Sequence, residues 1–115
     1  QNHRLFLNHL REDIFFKNFS LKGASNYGLH LILKKKNSIL FRKILRVLDK
    51  SLIEYRLGSL GNQIRQPYLK KFKKTSYLRS LKNTEHMHFY SVYIGNHQAL
   101  DKKRIIRLCN NLDKI

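Results

Sequence analysis

The sequence predicts an α+β fold, in which a small mixed or antiparallel sheet of about three strands carries helices mainly on one face. Residues 25–33 alternate apolar and polar side chains, as a half-buried strand does. Residues 38–52 repeat apolar side chains at helical spacing, and residues 89–94 are rich in aromatic and β-branched types that favour a strand. Because 115 residues suffice for one core, we expect a single domain over residues 1–115.

The other elements follow in chain order. Residues 2–10 predict a short helix, and residues 14–19 are expected to be irregular or extended. Ser38 is the predicted N-cap of the second helix, because its hydroxyl can accept from a free backbone N–H. Residues 53–57 predict a second strand. The apolar stripe of that second helix is predicted at Ile39, Leu40, Ile44, Val47, Leu48 and Leu52.

Short helices are expected around the lysine-rich stretch. A third strand is predicted further along the chain, at residues 89–94. Asp101 is predicted to cap a last helix. The apolar residues of the lysine-rich stretch are Tyr68, Leu69, Phe72, Tyr77, Leu78 and Leu81. Those of the last helix are Ile105, Ile106, Leu108, Cys109 and Leu112.

Residues 56–72 form a polar loop punctuated by glycine and by the only proline, Pro67. Pro67 fixes its own φ and favours an extended conformation for the residue before it. Asn62 and Gln63 lie off both apolar patterns, so their truncation is expected to leave the core intact. A polar loop of this kind suits recognition, and it is equally the composition of a solvated surface turn.

The amino-acid composition restricts the classes of function that the chain can have. A net charge of +17 attracts polyanions, namely nucleic acid, anionic membranes or phosphorylated ligands. A solvated, lysine-rich face is the alternative interpretation. One cysteine excludes an internal disulfide framework. No apolar run is long enough to cross a bilayer and no signal peptide is evident, so we expect a cytoplasmic chain.

Few residues indicate catalytic or metal chemistry. His86 and His88 could chelate from a strand, and His97 lies near in sequence, but hydrogen-bonded or surface histidines fit the pattern better because no carboxylate or thiol completes a site. Cys109 falls on an apolar stripe, which favours a buried side chain. No paired carboxylates, phosphate loop or dinucleotide motif is present. Aromatic residues among the lysines could stack on RNA, or pack the core.

Three segments, in order, resemble one family. SNYGLHLILK resembles the first strand of the C-terminal domain of DegT/StrS-type nucleotide-sugar aminotransferases and dehydrases. YRLGSLGNQIRQPYL resembles that domain's strand and loop with Gly-Asn followed by Gln-Pro. NTEHMHFYSVYIGNHQAL resembles the segment near the family's C-terminus. The resemblance covers about residues 19–115.

The resemblance implies the small C-terminal domain of a fold-type I enzyme that uses pyridoxal phosphate on a nucleotide-linked keto-sugar. Such enzymes are usually homodimers and make amino or deoxy sugars for lipopolysaccharide or capsule. By motif, Asn62 and Gln63 would face the sugar nucleotide, with Asn96 and His97 in a second loop. The large domain with the Schiff-base lysine is not matched, so no catalytic residue and no cofactor are expected on this chain alone.

Two other functions stay open on the sequence. A small basic nucleic-acid-binding protein, for example a ribosome-associated one, would explain the charge. A non-catalytic interaction domain would explain the lack of catalytic residues.

Overall fold

The structure is a computed structural model that describes residues 1–57, 61–72 and 81–115, with residues 70–72 described by backbone alone. Its elements are α1 (Asn2–His9), β1 (Gly28–Ile32), α2 (Ser38–Lys50), β2 (Tyr55–Leu57), 3₁₀ turns at Gln63–Arg65 and Pro67–Phe72, α3 (Lys82–Tyr90), β3 (Ser91–Gly95) and α4 (Lys102–Leu112). The expected short helix at Tyr77 and Leu78 lies outside the described residues.

The three strands form one antiparallel sheet in the order β1-β3-β2. Leu29 is opposite Ile94, and Leu31 is opposite Val92. Since side chains alternate along a strand, all four point to the same face, and all four are buried. The predicted α+β class with a small antiparallel sheet is therefore confirmed.

Helices supply the other side of the core. α1 packs against α4, and α2 also contacts α4. Cys109 on α4 is fully buried, and burial raises the pKa of its thiol to about 12, so it packs as a small apolar group, as predicted. The buried helical members of the core are Phe6, Leu7, Ile44, Leu48, Ile105, Leu108, Cys109 and Leu112.

Helix capping is partly as predicted. Asp101 caps α4, since its Oδ1 accepts from the backbone N–H of Lys103 at 2.9 Å. The predicted cap of α2 is wrong by one residue: Asn37 is the N-cap, and its Oδ1 accepts from Leu40 N at 2.9 Å. Asn and Ser are comparable caps, so propensity alone does not separate adjacent candidates.

The end of α2 also differs from the prediction. The helix stops at Lys50, and Leu52 adopts a left-handed conformation with φ 52°. Leu52 therefore leaves the apolar stripe, and its surface is 94% exposed.

The third strand is shorter than predicted, because Phe89 and Tyr90 belong to the end of α3. Tertiary contacts override their β propensity. The ring of His86 donates to the carbonyl oxygen of Leu33 at 2.5 Å, and Ser91 Oγ donates to that of Met87 at 2.5 Å. The His86 bond holds α3 against the residue that follows β1, and the Ser91 bond closes the last turn of α3.

Gly28 is required by a close approach within the sheet. A Cβ at this position would lie 2.9 Å from Cδ2 of Tyr93. The centre of the Tyr93 ring also lies 5.7 Å from those of the Tyr27 and His30 rings. The aromatic ring on β3 thus occupies the space above the glycine on β1.

Candidate functional site

The first predicted pair, Asn62 and Gln63, lies in a loop bound to helix α3. Asn62 is only 2% exposed. Its Oδ1 accepts from Ile64 N at 3.1 Å and caps the first 3₁₀ turn, while its Nδ2 donates to Glu85 Oε1 at 2.5 Å. Its backbone N–H donates to His88 Nδ1 at 3.2 Å. Asn62 therefore fastens the loop to α3 through both its side chain and its backbone.

Arg65 completes this group, which we call the Asn62 cluster (Asn62, Arg65, Glu85 and His88). Arg65 donates to both carboxylate oxygens of Glu85, from Nε at 2.8 Å and from Nη2 at 2.6 Å. Its guanidinium also lies 4.6 Å from the centre of the Phe89 ring. Hydrogen bonds from Arg65, then from Asn62, lower the pKa of Glu85 to about 2.

The cluster limits what the loop can do chemically. Glu85 is an ion-paired carboxylate, so it is a poor proton donor or acceptor near neutral pH. The sequence predicts that truncating Asn62 leaves the core intact, but its buried amide bonds two partners, so we expect the truncation to lower stability. Gln63 is exposed, as expected of a residue in a recognition loop or a surface turn.

The second predicted pair follows β3. Asn96 Oδ1 accepts from Asn2 Nδ2 at 3.2 Å, and Asn96 Nδ2 donates to the carbonyl of Asn26 at 2.6 Å. Its side chain thereby joins α1 to the segment before β1. His97 is exposed, and its Nδ1 accepts from Ala99 N at 3.2 Å.

Asn96 lines a polar cleft of about 820 Å³, whose other polar wall residues include Asn2, His3, Asn26, Tyr27 and Gln98. His3 is 7% exposed, and its Nδ1 accepts from Asn26 Nδ2 at 2.5 Å. Burial lowers the pKa of His3, so the ring is neutral near pH 7. Amides, a phenol and a neutral imidazole can hydrogen-bond hydroxyl and phosphate oxygens without supplying a nucleophile.

The structure does not bring the two pairs together. The Asn62 cluster joins the loop to α3, which leads into β3 at Ser91, whereas Asn96 follows the other end of that strand at Gly95. Five strand residues span about 16 Å. A ligand touching both loops would therefore have to extend along β3.

Several residues of these sites were missed from the sequence. Glu85 and Arg65 are 20 positions apart, and Asn2 and Asn96 are 94 apart. Only tertiary packing joins them, and no local spacing signals it. The sequence offers one clue to the importance of Glu85: it is one of the few acidic residues, and it lies next to His86 and near His88.

The structure also does not support a metal site at His86 and His88, the interpretation that the sequence disfavoured. His86 and His88 lie on a helix, where residues two apart face different directions. Each makes a hydrogen bond within the chain. Within residues 1–57, 61–72 and 81–115, no three His, Cys, Asp or Glu side chains are grouped to share a metal ion.

The residues present do not fit pyridoxal phosphate. An imine requires a lysine held in a pocket beside the cofactor. Among the lysines whose side chains are described, only Lys17 is even half-buried, and its Nζ donates to the carbonyl of Leu10 at 3.0 Å.

Comparison with known proteins supports the fold. No family model and no curated protein matches the sequence. One solved structure matches: GDP-4-keto-6-deoxymannose-3-dehydratase with a trapped PLP-glutamate geminal diamine, with a TM-score of 0.69 and 22% sequence identity. The match covers 96% of this chain and 29% of that enzyme's chain. None of the helices described is long and apolar enough to cross a membrane. The chain therefore has the fold of part of a pyridoxal-phosphate-dependent sugar enzyme.

Proposed function

We propose that this chain is the small C-terminal domain of a DegT/StrS-type nucleotide-sugar aminotransferase or 3-dehydrase, whose cofactor domain lies outside these 115 residues. The fold match over nearly the whole chain carries the proposal. The Gly-Asn and Gln-Pro loop and the Gly-Asn-His segment, which resemble segments of that family, add support to the proposal. The intact enzyme would be a cytoplasmic homodimer making amino or deoxy sugars for lipopolysaccharide or capsule.

In this proposal the two loops contact a nucleotide-linked keto-sugar. Gln63 presents an exposed amide, and Asn96 and His97 lie at the end of β3 beside the polar cleft. Such groups can hydrogen-bond sugar hydroxyls or phosphate oxygens. The side chain of Asn62 already bonds Ile64 and Glu85, so its contribution is to hold Gln63 in position.

Pyridoxal phosphate supplies an electron sink when bound, and in the intact enzyme the other domain would hold it. We expect no saturable imine when the isolated chain is titrated with pyridoxal phosphate and followed by absorbance. A borohydride-reducible adduct at one lysine would contradict this division of roles.

A chimera tests the function itself. Residues 1–115 replace the matching segment of GDP-4-keto-6-deoxymannose-3-dehydratase, and turnover is compared with the truncated enzyme lacking that segment. We expect turnover above the truncated enzyme, falling again with Gln63→Ala. A folded, cofactor-loaded chimera with no such gain would argue against the proposal.

The net charge of +17 favours a second candidate, a basic nucleic-acid-binding protein. Tyr27 and Tyr68 are well exposed and could stack on bases. The sequence contains no base-reading module, so any such binding is expected to be non-specific and strongly dependent on salt.

A further inference from the structure

A second cleft, separate from the predicted loops, lies between the end of α2, one face of α4 and the end of β3. We call it the basic cleft; its volume is about 580 Å³. Its floor is the edge of the core, formed by buried apolar side chains that include Leu29, Ile94, Ile105 and Leu108. An apolar side chain entering the cleft would therefore meet other apolar groups.

The rim of this cleft is cationic. Lys50 ends α2, and Arg104 and Arg107 lie one turn apart on α4, so the two arginines share a helix face. None of the described lining residues is acidic. In the part of the chain that the structure describes, these three cations form no ion pair. The rim thus offers positive charge to a ligand.

Leu52 stands at the edge of the cleft in a conformation that does not suit leucine. Leu52 N donates to Asp49 O at 3.0 Å, and Ile53 N donates to Leu48 O at 3.0 Å. This hydrogen-bond pattern ends a helix with a left-handed residue, a position that usually holds glycine. A leucine there has a strained backbone and is also 94% exposed, so neither local conformation nor core packing explains it.

We propose that the basic cleft docks an acidic polypeptide segment that bears an apolar side chain, with Leu52 as the apolar contact at its edge. Charge complementarity selects this occupant. A second copy of this chain carries the same net charge of +17, so the two copies would repel each other. A nucleic-acid backbone would make no favourable apolar contact with the exposed side chain of Leu52. The proposal does not depend on the function proposed above.

Fluorescence anisotropy at physiological salt, with three labelled probes, tests whether the basic cleft binds such a segment. These are a 12-residue peptide of Glu with Leu at every fourth position, the same peptide with Ser for Leu, and a 12-nucleotide single-stranded DNA. We expect the Leu peptide to bind at least tenfold more tightly than the Ser peptide. Binding of the Leu peptide should weaken at least tenfold in the double variant Arg104→Gln with Arg107→Gln. It should change less than twofold in the control, Lys35→Gln with Lys36→Gln, which removes the same charge away from the cleft.

The substitution Leu52→Gly tests the proposal most directly. It removes the apolar contact and relieves the left-handed strain, so binding of the Leu peptide should weaken at least fivefold while Tm stays the same or rises. A fall in Tm would make Leu52 a structural residue and overturn the proposal. So would equal effects of the two charge variants, no binding of the Leu peptide, or DNA binding that depends selectively on the two arginines.

Discussion

Asn62→Ala is expected to destabilise the fold strongly, since Asn62 is buried and bonds both Glu85 and the turn that begins at Gln63. A hydrogen bond to a charged group contributes about 1.5–3 kcal/mol, and a lost cap costs about 0.5–2 kcal/mol. The two are not additive, so we expect a loss of about 2–3 kcal/mol in the free energy of unfolding. With an unfolding entropy of about 2.1 cal/mol/K per residue, this lowers Tm by about 8–12 °C.

Urea denaturation followed by circular dichroism measures this loss at pH 7. Gln63→Ala is the matched control, because Gln63 is exposed on the same loop, and it should stay within about 0.5 kcal/mol. Asn62→Asp keeps the cap acceptor but sets a second carboxylate against Glu85, so it should also destabilise. If Asn62→Ala costs no more stability than Gln63→Ala, the Asn62 cluster does not hold the loop.

Three further results are expected. The lowered pKa of Glu85 stabilises the fold above about pH 4.5, and this contribution is lost as the pH falls towards about 2. After allowance for solvent screening, the contribution is about 1–2 kcal/mol. Glu85→Gln should therefore flatten the dependence of the urea midpoint on pH over that window, and an unchanged slope would contradict the assignment. Gly28→Ala should cost about 1–3 kcal/mol because its Cβ would meet Tyr93, whereas at Gly95 a Cβ meets nothing within 4 Å, so equal thermal stabilities for the two alanine variants would argue against the close approach. Unrelated oligonucleotides should bind with similar affinities that fall steeply with salt in anisotropy titrations, and tight selective binding at physiological salt would favour the nucleic-acid function.

Much of the fold could be predicted from the sequence because local patterns specify it. The alternation through Leu29 and Leu31 and the helical spacing through Ile44 and Leu48 each set one buried face. The order of helices and strands follows from such patterns. Boundaries were less accurate where tertiary contacts decide them, as where Phe89 and Tyr90 end a helix instead of opening a strand.

The candidate site could be predicted only in part. The sequence singled out the polar loop of Asn62, but long-range packing buries that side chain against Glu85. The polar wall around Asn96 is likewise assembled from α1 and the segment before β1. The left-handed backbone of Leu52 has no sequence signal, since that position usually carries glycine.

The coding sequence immediately upstream of Gln1 tests the central claim most directly. We expect an in-frame cofactor domain of a fold-type I enzyme, including a segment with the Schiff-base lysine or the histidine that replaces it in some dehydrases. An upstream frame that encodes an unrelated domain, or a start codon directly before these residues with no cofactor domain in the neighbouring genes, would contradict it.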